Sequence, residues 1–242
     1  EKWYCAELTS KNYAIYGRYI LYLHSSVNNL DPNVVLGFFL YKDDTKQIDI
    51  EFSRWGNAGQ EYNAQYVIQP FYISGNKEEF TINTEAPTSH YIDWHASWIE
   101  FKSAEYYQSR ENCIHSWVYL GNYIPTIEES LRLHINLWLY QGYAPLNGEQ
   151  VELAIDSVAL PESLSPQQIT LNITPILGGF EIYCENLSYG GLCKIYDILG
   201  RLRRRFLLRD NKVKIYNLPA GNYIVIVQID DTIHGGKALV IK

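Results

Sequence analysis

The chain has 242 residues, 47% of them hydrophobic and 19% charged, with a net charge of −7 at neutral pH. That length suits one large all-β domain or two ordinary ones, and the apolar share is enough to build real cores. The acidic balance excludes electrostatic attraction to nucleic acid or to an anionic membrane as the basis of function, so neutral or cationic ligands are expected.

The 21 Tyr and 6 Trp supply flat apolar faces with polar edges. Such faces suit sugars and equally suit ordinary β packing. Cysteines stand at 5, 113, 184 and 193, with no Cys-x-x-Cys pair and no His at zinc-ligand spacing, so neither a metal nor any other cofactor is expected. Cys184 and Cys193 sit at the ends of a ten-residue hairpin, where a disulfide and two buried thiols are both open readings. The chain begins at Glu1, which fits a mature or trimmed product, and contains no Met, which trimming of a start does not explain. No apolar run approaches the length of a membrane span.

Short β-branched or aromatic segments bounded by Gly, Asn, Asp or Pro recur along the chain. Tyr19-Ile20-Leu21-Tyr22-Leu23 comes early, Val67-Ile68-Gln69 follows, and Tyr223-Ile224-Val225-Ile226-Val227 comes late. Only Ile127 to Leu133 hints at a helical turn. This rhythm predicts β-sandwiches rather than βαβ units. Two prolines and small polar residues interrupt it at 161–167, so one domain is expected over 1–160, a linker over 161–167 and a second domain over 168–242. Charge divides there too, with 10 basic and 21 acidic side chains before residue 168 and 10 and 6 after it.

In Lys46-Gln47-Ile48-Asp49-Ile50-Glu51-Phe52 the alternation is strict. Gln47, Asp49 and Glu51 therefore share one face, and Ile48, Ile50 and Phe52 face a core. The ends of that trio have Cα atoms about 13 Å apart at a rise of about 3.3 Å per residue. Side chains leaning inward there approach the about 5–5.5 Å carboxyl spacing of a retaining glycosidase. Taken alone, the trio also fits a solvated strand face.

The surroundings of this strand resemble the family 16 glycoside hydrolases, whose pattern is a Tyr-Gly strand, an apolar strand and Glu-x-Asp-x-Glu. The matching pieces are Tyr16-Gly17-Arg18-Tyr19, Gly37-Phe38-Phe39-Leu40-Tyr41 and Gln47-Ile48-Asp49-Ile50-Glu51. Asn63-Ala64-Gln65-Tyr66, Ser89-His90-Tyr91-Ile92-Asp93-Trp94 and Leu133-His134-Ile135-Asn136-Leu137-Trp138 continue the likeness over most of 1–160. The resemblance implies a concanavalin-like β-jelly roll acting on a β-glucan or galactan, without a cofactor and as a monomer.

By that resemblance Gln47 stands in the nucleophile position, Asp49 is the assisting residue and Glu51 the general acid and base. A neutral amide carries no negative charge and forms no glycosyl ester, so ordinary retaining hydrolysis should be nearly abolished. Phe39 is a second departure, since many relatives carry Trp there. The resemblance and residue type also mark Arg54, Trp55, Asn63, Gln65, His90, Trp94, Asn136 and Trp138 as candidate sugar contacts, each weighed against a packing role. Trp3, Trp98 and Trp117 read as core. The expected partner is a polysaccharide or oligosaccharide. Three readings stand: an impaired endo-β-glycan hydrolase, a non-catalytic glycan-binding protein that kept the groove, and a purely structural sandwich module.

Residues 194–242 contain Tyr196-Asp197-Ile198-Leu199-Gly200-Arg201 and Leu218-Pro219-Ala220-Gly221-Asn222-Tyr223. These turns resemble the C-terminal sorting domains of the type IX secretion system of Bacteroidetes, which implies an Ig-like sandwich and an extracytoplasmic protein. Arg201, Arg203, Arg204, Arg205 and Arg209 read as a solvated strand pair.

Overall fold

A computed structural model describes residues 2–107, 112–161, 170–187, 190–229 and 232–240. The chain divides into two compact units, 1–94 with 98–162, and 95–97 with 163–242. Residues 162–167 of the expected linker lie outside the described residues.

The first unit begins with β1 (Ala6–Tyr13), β2 (Gly17–Leu23), β3 (Val34–Asp43) and β4 (Lys46–Phe52). It continues with β5 (Ala64–Ile68), β6 (Lys77–Phe80), β7 (Thr88–Trp94), β8 (Ile99–Glu105), β9 (Cys113–Tyr119), β10 (Arg132–Leu139) and β11 (Ile155–Ala159). Two antiparallel sheets result, ordered β1-β10-β3-β4-β5-β6 and β11-β2-β7-β8-β9. The chain crosses repeatedly between them, giving the sandwich that the strand rhythm predicts, in the jelly-roll form that the resemblance implies.

Alternation puts one face of each strand into the space between the sheets. Tyr19, Leu21 and Leu23 enter from β2, Ile48, Ile50 and Phe52 from β4, and Ile92 and Trp94 from β7, all in one buried cluster. Fully burying a side chain of this size contributes about 1.5–3 kcal/mol, so this layer dominates the stability of the unit. β1 is different: seven of its eight residues are exposed, because it extends the sheet past the core at the edge.

The expected helical turn is a single 3-10 turn, Ile127–Glu129, whose entry is held by the Thr126 N–H donating to Glu129 Oε2 at 3.0 Å. Leu133 belongs instead to β10, because pairing with β3 satisfies its backbone. Trp98 is fully buried and Trp117 packs against the core. Trp3 corrects the expectation: it is half-buried and lines a surface cavity with Tyr4, Trp138 and Pro145.

The second unit holds a three-stranded sheet of β12 (Thr170–Ile176), β13 (Gly179–Glu185) and β16 (Lys212–Tyr216). Its four-stranded sheet contains β14 (Gly191–Asp197), β15 (Leu202–Leu208), β17 (Gly221–Ile229) and β18 (Thr232–Val240). Phe180, Ile182, Ile195, Val225 and Val227 form its core. Cys184 and Cys193 are free thiols in that core, and burial pushes the Cys193 thiol up to about 12. Within the turn after β14, Asp197 accepts from the Leu199 and Arg201 N–H groups and from the Arg201 and Arg203 guanidinium groups. Two members of the arginine cluster are thus tied to a turn carboxylate, and Gly200 supplies its positive φ of 74°. Among the described residues no helix is long and apolar enough to cross a membrane, and no cluster of His, Cys, Asp and Glu is arranged to hold a metal.

Candidate functional site

The register of the six-stranded sheet decides what meets on its outer face. Glu51 of β4 pairs with Gly37 of β3, Gly37 with Asn136 of β10, and Asn136 with Glu7 of β1. On the other side Glu51 pairs with Gln65 of β5. One row therefore reads Gln65, Glu51, Gly37, Asn136, Glu7. The next row on the same face carries Asp49, Phe39, His134 and Thr9. Beyond it come Gln47, Tyr41 and Arg132.

Over these rows lies an open cavity of about 330 Å³, lined by Glu7, Phe39, Tyr41, Asp44, Gln47, Glu51, His134, Asn136 and Trp138. Gly37 stands between Glu51 and Asn136 in the row beneath it, and the Asn136 and Phe39 side chains fill the space above its Cα. A Cβ at that position would lie 2.6 Å from Asn136 Oδ1 and 3.1 Å from the Phe39 ring, so no other residue fits without displacing both.

Charge inside the site follows burial. Asp49 lies beneath the cavity, 1% exposed, and neither carboxyl oxygen completes a hydrogen bond. Burial, reinforced by nearby Glu51, holds its pKa well above the usual carboxylate range, against the pull of the Gln47 and Gln69 amides. Glu51 is half-buried, and its Oε2 accepts from Gln65 Nε2 at 2.6 Å. Burial raises its pKa and the Gln65 hydrogen bond opposes that rise. Glu7 is the opposite case. Its Oε1 meets His134 Nδ1 at 2.8 Å, and that hydrogen bond lowers its pKa. The imidazole is fixed in turn by stacking on Phe39, with centroids 5.2 Å apart.

The face therefore carries an acid inclined to keep its proton, a carboxylate inclined to lose it, and an amide at position 47 that does neither. Aromatic rings stand beside all three. That combination suits a neutral polyhydroxylated ligand, with rings for its apolar faces and polar groups for its hydroxyls.

Of the residues marked from sequence, Gln47, Glu51, Asn136 and Trp138 line the cavity, while Asp49 and Gln65 support it from below and beside. The others are elsewhere. His90 and Trp94 lie on β7 in the opposite sheet and point into the core. His90 packs on Phe52 with centroids 4.6 Å apart, on the side of β4 away from the cavity. Its ring nitrogens bond Thr88 Oγ1 and Ser103 Oγ, each at 2.8 Å, and burial pushes its pKa down to about 3. Trp94 donates its indole N–H to the Pro125 carbonyl at 3.0 Å. Asn63 exchanges two hydrogen bonds with the backbone of Ile82. Arg54 donates to the Gln60 and Asn28 carbonyls, and Trp55 packs on Tyr62 at a φ of 45°. These three order the connections on either side of β5 rather than the cavity.

Glu7, Tyr41, Asp44 and His134 are cavity residues that the sequence reading did not single out. His134 alternates with Asn136 and Trp138 on β10, so the period of two carried a signal for it. Nothing local marks Glu7, because its place depends on β1 pairing with a strand more than 120 residues away.

No protein-family model matches the chain, and no curated protein matches it in sequence. Among solved structures it is similar to a glycoside hydrolase family protein from Mycobacterium thermorestibile, at 14% identity and a TM-score of 0.45 over 63% of this chain and 66% of that one. A prokaryotic β-1,3-1,4-glucanase (lichenase) derived from a mouse hindgut metagenome aligns at 16% identity and a TM-score of 0.36, over 57% of this chain and 64% of that one. An uncharacterized protein from Mycobacterium paratuberculosis aligns at 12% identity and 0.42, over 64% and 72%. The chain thus spans about two thirds of the length of these structures.

Proposed function

We propose that the cleft across the six-stranded sheet binds a β-linked polysaccharide or oligosaccharide, and that the amide of Gln47 bars hydrolysis through a glycosyl-enzyme ester. The supporting observation is the cavity itself. Aromatic faces from Phe39, Tyr41, His134 and Trp138 stand beside the polar ends of Gln47, Glu51 and Asn136 in one open volume. A purely structural module has no need of such a face, because stacking sheets bury only the opposite side of β4.

Calorimetric titration with β-glucan and galactan oligosaccharides tests the binding. Micromolar to millimolar affinity is expected, and Trp138→Ala should weaken it up to about tenfold, in line with about 0.5–1.5 kcal/mol for an aromatic contact. Absence of heat with every oligosaccharide would overturn the reading. For the chemistry, Gln47→Glu restores a carboxylate beside Asp49 and should give hydrolysis with retained anomeric configuration, followed by NMR. No retained product from a glycan that binds would remove position 47 from the nucleophile role.

The turns of the second unit support an extracytoplasmic site of action. Recovery of the full-length protein from the medium or cell surface of a secreting host is expected, and recovery only from cytosol would refute it.

A further inference from the structure

Sheet register gathers three connections at one end of the second unit. Gly179, at the start of β13, pairs with Tyr216, at the end of β16, so the turn 177–178 and the connection 217–220 belong to the same end. That connection leads into β17, whose Tyr223 pairs with Asp197 at the end of β14, so the turn 198–200 stands there as well. Apolar side chains project from these turns. Leu177 is 91% exposed, Ile198 70% and Leu199 71%, and Leu202 and Leu239 beside them are exposed too. A single exposed leucine is ordinary, but a group of them at the tips of one end marks an interaction surface. The turn is ordered: the Asp197 N–H donates to the Arg201 carbonyl and the Gly200 N–H to the Asp197 carbonyl, each at 3.0 Å, and the Asp197 carboxylate accepts the Leu199 N–H at 2.9 Å.

Cations stand behind the tips. Asp197 is held by Arg201 and Arg203, and Glu181, opposite Lys214, is held by Lys212 at 2.9 Å. Glu185 and Asp210 lie toward the other end. At the seam between the edge strands β15 and β16 an open cavity of about 400 Å³ is lined by Arg204, Arg205, Lys214 and Tyr216, and none of its described lining residues is acidic. Arg204 pairs with Ile195, two residues before Asp197, and Lys214 is two residues before Tyr216. Both therefore sit about 7 Å behind the strand ends, at about 3.3 Å per residue. The acidic surplus of the chain lies before residue 168, whereas 168–242 carries 10 basic and 6 acidic side chains, so the net charge that argues against an anionic membrane does not describe this unit.

We infer that this end of the second unit docks on an anionic phospholipid surface, with Ile198 and Leu199 entering the boundary between headgroups and acyl chains and Arg204 and Lys214 meeting phosphates. Apolar side chains of surface-bound proteins enter that boundary by about 5–10 Å, which would bring cations set back by about 7 Å level with the headgroups. Separate tips also fit a fluid surface that closes around each of them, whereas a protein partner would have to supply a pocket for every tip.

Flotation of the full-length chain with vesicles of phosphatidylcholine and phosphatidylglycerol in equal parts tests this. Binding is expected at low salt, should weaken as salt rises, and should be lost on vesicles of phosphatidylcholine alone. Ile198→Ser combined with Leu199→Ser should weaken it at least about tenfold. Arg204→Gln and Lys214→Gln should each weaken it about fivefold. In the unaltered chain, anionic vesicles should slow hydrogen exchange at residues 197–202, a readout that needs no variant to fold. No flotation with the anionic vesicles, equal flotation with phosphatidylcholine alone, or no slowing at 197–202 in the bound chain overturns the inference. A dimer that the Ile198 and Leu199 substitutions abolish, without flotation, puts a second copy on this surface and overturns it too.

Discussion

His90 points into the core from the five-stranded sheet and His134 points outward from the six-stranded one, and the contrast between them separates scaffold from site. Behind β4, His90 is wholly enclosed and answers to Thr88 and Ser103, and burial favours its neutral form, pushing its pKa down to about 3. In front of β4, His134 lines an open cavity against Glu7 and Phe39. Both are strand histidines in contact with an oxygen partner and an aromatic ring. Side of the sheet, rather than residue type, decides which one meets a ligand.

The largest expected effect that would break this contrast is on stability. His90→Ala opens a cavity beside Phe52 and removes the partner of two buried hydroxyls, and should cost about 3 kcal/mol in urea unfolding while leaving oligosaccharide affinity unchanged. A fall in affinity with intact stability would put His90 in the site after all. The pH dependence sharpens the point. With a folded pKa of about 3 and an unfolded value near 6.5, the unfolded chain binds the extra proton between those limits. Stability therefore falls as pH falls through that window, with this residue contributing up to about 1.4 kcal/mol per pH unit. The slope should flatten in His90→Leu.

Asp49 should act in the opposite sense. Its folded pKa is raised, so the folded state holds its proton more tightly, and its contribution to stability is present at low pH and lost as pH rises through the folded pKa. Asp49→Asn should then stabilise at neutral pH by about 1 kcal/mol or more and leave acid stability unchanged, as thermal unfolding at two pH values would show. The smallest effect belongs to His134→Ala. Losing this partly exposed hydrogen-bonded contact should change stability by less than about 1 kcal/mol, yet release Glu7 toward an ordinary carboxylate pKa, detectable by carboxyl NMR titration.

Much of β4 was legible beforehand because a strand has a period of two. The split into Ile48, Ile50 and Phe52 on one side and Gln47, Asp49 and Glu51 on the other needs no knowledge of neighbours, and the buried cluster contains the first three. Asn136 and Trp138 came from the family resemblance, and the same period of two places them on one face of β10. His90 and Trp94, marked in the same way, face the core, and alternation gave no warning because it states that a strand has two faces without stating which one is core. β7 joins β2 and β8 in the other sheet, and that membership turned both residues inward. Asn63 and Arg54 escaped for another reason: their polar ends are consumed by backbone groups of nearby connections, a use that side-chain chemistry does not announce.

Local pattern was enough for strand character and for the apolar layer beneath β4, whereas the reading of Gln47 as standing in a nucleophile position came from the family resemblance. Strand character and the apolar layer are properties of residue type and a fixed repeat. The row joining Glu51 to Glu7 through Gly37 and Asn136 belongs to the sheet order alone, which brings residues 7, 37, 51 and 136 side by side. Cross-strand neighbours are set by which strands pair and in what register, and a one-residue slip would turn every side chain of a strand to the other face. The opposite charge tendencies of Glu7 and Glu51 arise in the same way, from a histidine on one neighbouring strand and from burial against another.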